Sequence, residues 1–513
     1  MKPPLIYNLF PRLVGPTTRW AEHARRAREM EFEWLYINPW HYPGFSGSLY
    51  AVKDFRRLNP AFLPAGADPM SLEPLRYALK QVRQMGMKPV MDLVVNHTSK
   101  DSPLIEQHPE WYEWEHGQVR SPSVVDPDDP SKVTVWGDLA EIDNNTHQGR
   151  EALWRYWAGI VVEAIDLGFR GFRCDAAYKV PAELWRFLIA EARKANADVV
   201  FFAETLGAPV EDVVALKSAG FDFFFNSSKW WDLSQAWALK QHEEFGKIAP
   251  SIAFPESHDT PRMAAESGER HPVQRQRYAI AAAFSAGVMM PIGYEFGFRK
   301  QVNVVQTAPS DWERRHWDLR AFITRVNRLK LSHPLLQGEG HLKVEFGLDG
   351  DRLLLQRRSD DGSQRGWIIV NKVWEEGREM SLGPLAGSAK SHRLFRVCRD
   401  DMPEGGEPIP ETLSLDPAEV VYVLPVAEPA KSAEPVKSAV PAKSAEPAKS
   451  AEPEKSAEAT KAAEPTKSAG PAEATEPVKS AELAKSAEAP RSAEPVKSVE
   501  APKSAKPGKA ADA

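Results

Sequence analysis

At 513 residues, with 42% hydrophobic and 10% aromatic residues, the chain is long enough for a large enzymatic core plus an accessory domain. A net charge of −6 and the lack of any apolar run of bilayer length argue against nucleic acid and membrane as partners. Only two cysteines, Cys174 and Cys398, lie far apart in sequence, which suits a reducing compartment better than a disulfide framework.

The N-terminus, MKPPLIYNLFPRL, has no apolar stretch of signal-peptide length, so a cytoplasmic location is expected. Its LIYNLFP run (5–11) reads as the first strand. Further strand-like runs follow at WLYINPW (34–40), KPVMDLVVNH (88–97), GFRCDAA (171–177), VVFFAETL (199–206), FDFFFNSS (221–228), SIAFPESHD (251–259) and GVMMPIGYEFG (287–297). Between them lie stretches such as MSLEPLRYALKQVRQMG and AELWRFLIAEARKAN, with apolar residues at helical spacing. Near-continuous apolar strands alternating with helices indicate a parallel sheet covered on its outside. Eight such units predict a (β/α)8 TIM barrel over residues 1–338, with its site at the C-terminal ends of the strands.

The connection after the third strand, 98–145, is too long for a structureless loop and predicts a small inserted subdomain. Its Trp111, Tyr112, Trp114 and Trp136 could stack on a sugar or form the insert's own core. Alternating runs from HLKVEFGL to VVYVLPV predict a C-terminal antiparallel β domain over 339–426. Residues 427–513 repeat a degenerate A-E-P-x-K-S hexad without aromatics; they predict a disordered tail, either an inert spacer or a docking tether.

The chemistry concentrates where strands end on carboxylates: Asp175, Glu204 and Asp259. An unpaired buried charge is costly, so such acids are expected to face a cleft. Arg173, two residues before Asp175 and on the same strand face, would hold that aspartate ionised for nucleophilic attack. Glu204, beside Phe201, Phe202 and Ala203, would stay protonated by desolvation and serve as a general acid. Asp259 would steady positive charge in the transition state. Asp92, Asn96 and His97 add polar groups to an otherwise apolar third run. Paired carboxylates in these two protonation states are the equipment for cleaving a glycosidic bond.

In this order and spacing, DLVVNHT, GFRCDAA, FAETLG and ESHDTPR resemble the four sequence regions of the α-amylase superfamily, glycoside hydrolase family 13. The resemblance spans roughly residues 5–425 and implies a retaining enzyme acting on α-linked glucans or maltooligosaccharides. It implies Asp175 as nucleophile, Glu204 as general acid/base and Asp259 as transition-state stabiliser. Arg173 matches the arginine beside the nucleophile, His97 and His258 the sugar-binding histidines, and Asp92 the supporting aspartate. Tyr50 in GSLYAVKDF resembles the aromatic platform under the ring, and WGDLAEIDN the family's extra motif before strand four. No cofactor is expected, although Asn96 matches a calcium-ligating asparagine.

Departures exist. Tyr178-Lys179 stands where many amylases have Lys-His, and Ser257 where an asparagine commonly precedes His-Asp. The stretch from PAELWRF to FDFFF resembles bacterial maltosyltransferases that extend glucan from maltose 1-phosphate. A general α-glucan hydrolase or transglycosylase is therefore the first reading and a maltosyltransferase-like enzyme the second. A non-catalytic carbohydrate-binding subunit is the third, disfavoured because all three acids and both histidines are present. Trp230 and Trp231 are candidates for an acceptor subsite, with plain packing as the alternative.

Overall fold

The computed structural model describes residues 2–125, 131–145 and 149–426. The predicted tail, 427–513, lies outside the described residues. All eight predicted barrel strands form: β1 (Leu5–Leu9), β2 (Trp34–Ile37), β3 (Lys88–Leu93), β4 (Gly171–Cys174), β5 (Val200–Glu204), β6 (Phe223–Phe225), β7 (Ser251–Ala253) and β8 (Gly287–Pro291). They pair in parallel, each with its sequence neighbours, and β1 closes on β8.

Strand alternation sorts the side chains. Ile6, Trp34, Tyr36, Val90, Val200, Phe202, Phe223 and Phe225 fill the barrel interior, while the opposite faces pack under the helices. Gly171 is required by that filling, because a Cβ there would stand 3.0 Å from the Trp34 ring and 3.2 Å from Phe202. The helix Glu73–Gln84 is representative of the outer layer. Proline in its first turn suits the start, and Leu75, Ala78, Leu79 and Val82 give it one buried stripe.

The insert after β3 is built of short pairings. His97–Ser99 runs antiparallel to Leu139–Glu141, and Ser123–Val125 to Val133–Val135. Trp111 and Tyr112 are buried, so for these two the packing explanation wins. Trp114 and Trp136 stay exposed.

Beyond the barrel, β9 (His341–Phe346), β10 (Arg352–Arg358), β11 (Arg365–Asn371), β12 (His392–Phe395) and β13 (Val420–Pro425) form an antiparallel sheet in the order β9-β10-β11-β13-β12. It is bonded firmly to the barrel. The buried Arg357 donates to the carbonyls of Phe284 (3.0 Å) and Leu335 (2.9 Å), and Gln276 Nε2 donates to Asn371 O at 2.7 Å. Both thiols are free. Among the described residues, no helix is long and apolar enough to cross a membrane.

Glu339, just before β9, reaches under the barrel. Its carboxylate accepts from Ser251 N (2.8 Å), Ser251 Oγ (2.5 Å) and Ala286 N (3.0 Å), and His242 Nδ1 lies 3.1 Å away. Burial pushes its pKa up, but these donors prevail and hold it at about 2. A depressed carboxyl pKa contributes stability that is complete above the ordinary value near 4 and is lost as pH falls through 2. Glu339→Gln should therefore cost roughly 3 kcal/mol at pH 7, with the difference from wild type shrinking between pH 4 and 2; urea unfolding across that range measures it.

Candidate active site

Alternation and register build the site from the top layer of the barrel. Val90 and Asp92, Gly171 and Arg173, and Val200, Phe202 and Glu204 each lie on the inward face of their strand. Arg173 sits level with Asp92 across the β4–β3 ladder. The acids are placed progressively further out. Glu204 is the last residue of β5, Asp175 directly follows β4, and Asp259 stands in the loop six residues past Ala253. The predicted runs thus overshoot the strands, because the sharp turns that carry the acids end the sheet.

Arg173, 5% exposed, ties the acids together. Its Nη1 lies 2.9 Å from Asp92 Oδ1 and 2.5 Å from Asp175 Oδ1, and its Nη2 lies 3.8 Å from Glu204 Oε2. Burial disfavours the cation, but Asp92 and the surrounding acidic groups hold it protonated. Sharing one guanidinium keeps the Asp175 and Glu204 carboxylates on the same side of the barrel mouth, as a covalent glycosyl mechanism requires.

Glu204 also accepts from Leu206 N (2.7 Å) and Ala176 N (3.0 Å). Burial dominates its titration, Arg173 opposes that and Asp175 reinforces it, leaving the carboxyl at about 7. Ala176 donates from a left-handed conformation, φ 41° and ψ 48°, which is uncommon for a residue with a Cβ. Sequence reading gave no sign of this turn.

Asp92, fully buried, accepts from the hydroxyls of Tyr36 (2.6 Å) and Tyr50 (2.7 Å). Tyr50 stands on the loop of the hairpin between β2 and β3. Its hydroxyl lies 2.7 Å from His258 Nε2, and its ring stacks on His258 at 5.6 Å and 4°. With the tyrosine proton on Asp92, His258 carries its proton on Nε2, which also lies 3.1 Å from Asp259 Oδ2. The Asp259 carboxylate itself is 54% exposed at the cavity mouth. Burial lowers both His97 and His258 to about 4, so both are neutral at pH 7. Both ring nitrogens of His97 are buried. Tyr36 and Asn38, which donates to both tyrosine hydroxyls at 3.1 Å, were missed from the sequence. Their alternate spacing in WLYIN was the available signal.

A cavity of about 260 Å³ is lined by Tyr50, His97, Trp136, Asp175, Lys179 and Asp259 among others. Glu204 opens instead on an adjoining recess of about 20 Å³ with Arg173, Leu206, His258 and Asp259. Asp259 borders both spaces. Trp136 therefore belongs with the cavity, unlike the insert's buried aromatics, and Lys179 Nζ lies over its ring at 5.4 Å. Trp231 is buried, whereas Trp230 is 50% exposed.

Asn96 Oδ1 and the neighbouring Asn144 Oδ1 are buried without a hydrogen-bond partner. A calcium ion takes six to eight oxygens, commonly with carboxylates among them. Among the described residues, no group of three or more acidic, imidazole or thiol side chains could hold a metal. Glu141 nearby is paired with Arg120 at 2.8 Å.

The fold and the site define a closed (β/α)8 barrel with carboxylates gathered at the C-terminal ends of its strands. Residues 5–117 match the family described as glycogen debranching enzyme, glucanotransferase domain. The chain is 27% identical over 371 residues to the α-1,4-glucan:maltose-1-phosphate maltosyltransferase of Burkholderia pseudomallei, covering 69% of this chain and 31% of that protein. It is 25% identical over 330 residues to the enzyme of the same name from Methylacidiphilum infernorum, covering 58% and 47%. The chain thus spans between about a third and a half of the length of these curated relatives. Similar solved structures include an α-amylase from Lactobacillus plantarum (TM-score 0.63, 20% identity, 82% of this chain and 98% of that one). Another is an α-amylase from Geobacillus thermoleovorans (TM-score 0.64, 17% identity, 82% and 98%). In sequence and in fold the chain is thus similar to enzymes of the α-amylase superfamily, glycoside hydrolase family 13.

Proposed function

We propose that the protein is a retaining glycosidase or transglycosylase acting on α-linked glucans or maltooligosaccharides. The observation that carries this reading is the single guanidinium shared by Asp92, Asp175 and Glu204, with Glu204 poised at about 7. Asp175 attacks the anomeric carbon, and the carbon–oxygen bond to the leaving group breaks as Glu204 hands its proton to the departing oxygen. Glu204, now a carboxylate, removes a proton from water or a sugar hydroxyl, which displaces Asp175. Two inversions return the α configuration. His97 and His258, neutral and buried, hold sugar hydroxyls, and Tyr50 lies beneath the ring. Asp259 stabilises the positive charge that develops at the anomeric centre. Two free thiols fit a cytoplasmic location.

A second reading, transfer of maltosyl units from maltose 1-phosphate, is favoured by the activity for which the relatives are named. Lys179, exposed at the cavity, donates to Ser123 O (3.2 Å) and lies over Trp136, and its cation suits an anionic leaving group. Maltoheptaose and maltose 1-phosphate are to be compared as donors, following reducing ends and free phosphate. The first reading expects new reducing ends or redistributed chain lengths from maltoheptaose alone. Phosphate release coupled to glucan growth, without turnover of maltoheptaose alone, would replace it by the second.

A further inference from the structure

We propose that Trp230 is the stacking platform for the glucan on the leaving-group side of the bond, and so sets the preference for long chains. The inference rests on the α-glucan reading above. Glu204 protonates the departing oxygen, so the leaving or accepting sugar lies against Glu204. The wall on that side is the loop leaving β5. Leu206 lines the recess beside Glu204, and Gly207 follows it.

Trp230 lies directly over Gly207. A Cβ built on that glycine would stand 3.5 Å from the indole ring, in van der Waals contact, so the ring lies against this loop. The indole is 50% exposed. Its neighbours are pinned. Lys229, buried, pairs with Glu266 at 2.6 Å, and the buried Trp231 donates its indole N–H to Gln235 O at 2.7 Å. The two loops are joined by a hydrogen bond from Gly207 N to Ser227 Oγ at 3.0 Å, and Trp230 N donates to Ser227 O at 3.1 Å. A rigid, half-exposed indole on a fixed turn stacks against the apolar face of a pyranose at little entropic cost.

The test compares wild type, Trp230→Ala and Trp230→Phe with maltoheptaose and with 4-nitrophenyl α-maltoside, whose leaving group is one small ring. Trp230→Ala should raise KM for maltoheptaose about tenfold and lower kcat less than threefold, so that the ratio of kcat/KM for the long to the short substrate drops about tenfold. Trp230→Phe should restore most of that ratio. An equal loss on both substrates, or no change in the ratio, overturns the platform while leaving the α-glucan reading intact. A wild-type protein that turns over neither substrate removes that reading and the inference with it.

Discussion

Glu204→Gln is expected to slow turnover of a natural α-glucan by about 10²–10⁴-fold, the usual worth of a positioned proton donor. Gln fills the same space and its one carbonyl oxygen keeps one of the two contacts, with Leu206 N or Ala176 N, so folding should be largely preserved. The loss should be much smaller for 4-nitrophenyl α-maltoside in the first step, because nitrophenolate departs without a proton. The pH profile supplies an independent reading. The acid works only when protonated and its pKa is about 7, so kcat/KM of wild type should fall as pH rises through 7. That basic limb should vanish in the variant. A wild-type profile flat from pH 6 to 8, or equal losses on both substrates, would falsify the assignment of Glu204.

Arg173 is the second large case. Replacement by Met leaves Asp92 fully buried without its cation and Asp175 without its partner, which should cost about 3–5 kcal/mol of stability and abolish turnover. Arg173→Lys preserves one positive charge but cannot reach three carboxylates with a planar fork. It should fold, with kcat reduced by roughly 10²–10³-fold and KM little changed, because the loss lies in orienting the acids rather than in holding sugar. Urea unfolding and steady-state kinetics on both variants measure the two effects. A stable, active Met variant would mean that the acids do not depend on the guanidinium.

Much of this geometry was readable from the chain. Eight apolar runs gave the strand count and order, because parallel strands buried on both faces must be nearly continuous in apolar residues. Two-residue alternation was enough to set Arg173 and Asp175 on one face, and the aromatic neighbours of Glu204 were enough to expect a raised pKa. What could not be read depends on where the chain turns. The left-handed Ala176 and the distance of Asp259 from its strand follow from loop packing, not from local composition. The tryptophans illustrate the same limit. Trp230 and Trp231 are adjacent and chemically identical, yet one is buried and the other faces solvent, and only the phase of a short turn decides between them. Tyr36 and Asn38 were overlooked because one aromatic and one amide did not stand out in a strand read as hydrophobic.

The position of Glu339 carries a consequence for how the chain can be divided. The amides that begin β7 and β8 find their acceptor in a residue encoded after the barrel has ended, and Arg357, further on still, neutralises the carbonyl of Phe284. A chain cut after residue 338 would keep every proposed catalytic side chain and lose the floor on which two of the eight staves rest. The C-terminal sheet is thus masonry for the barrel and not an ornament attached to it, and engineered shortening has to begin downstream of it.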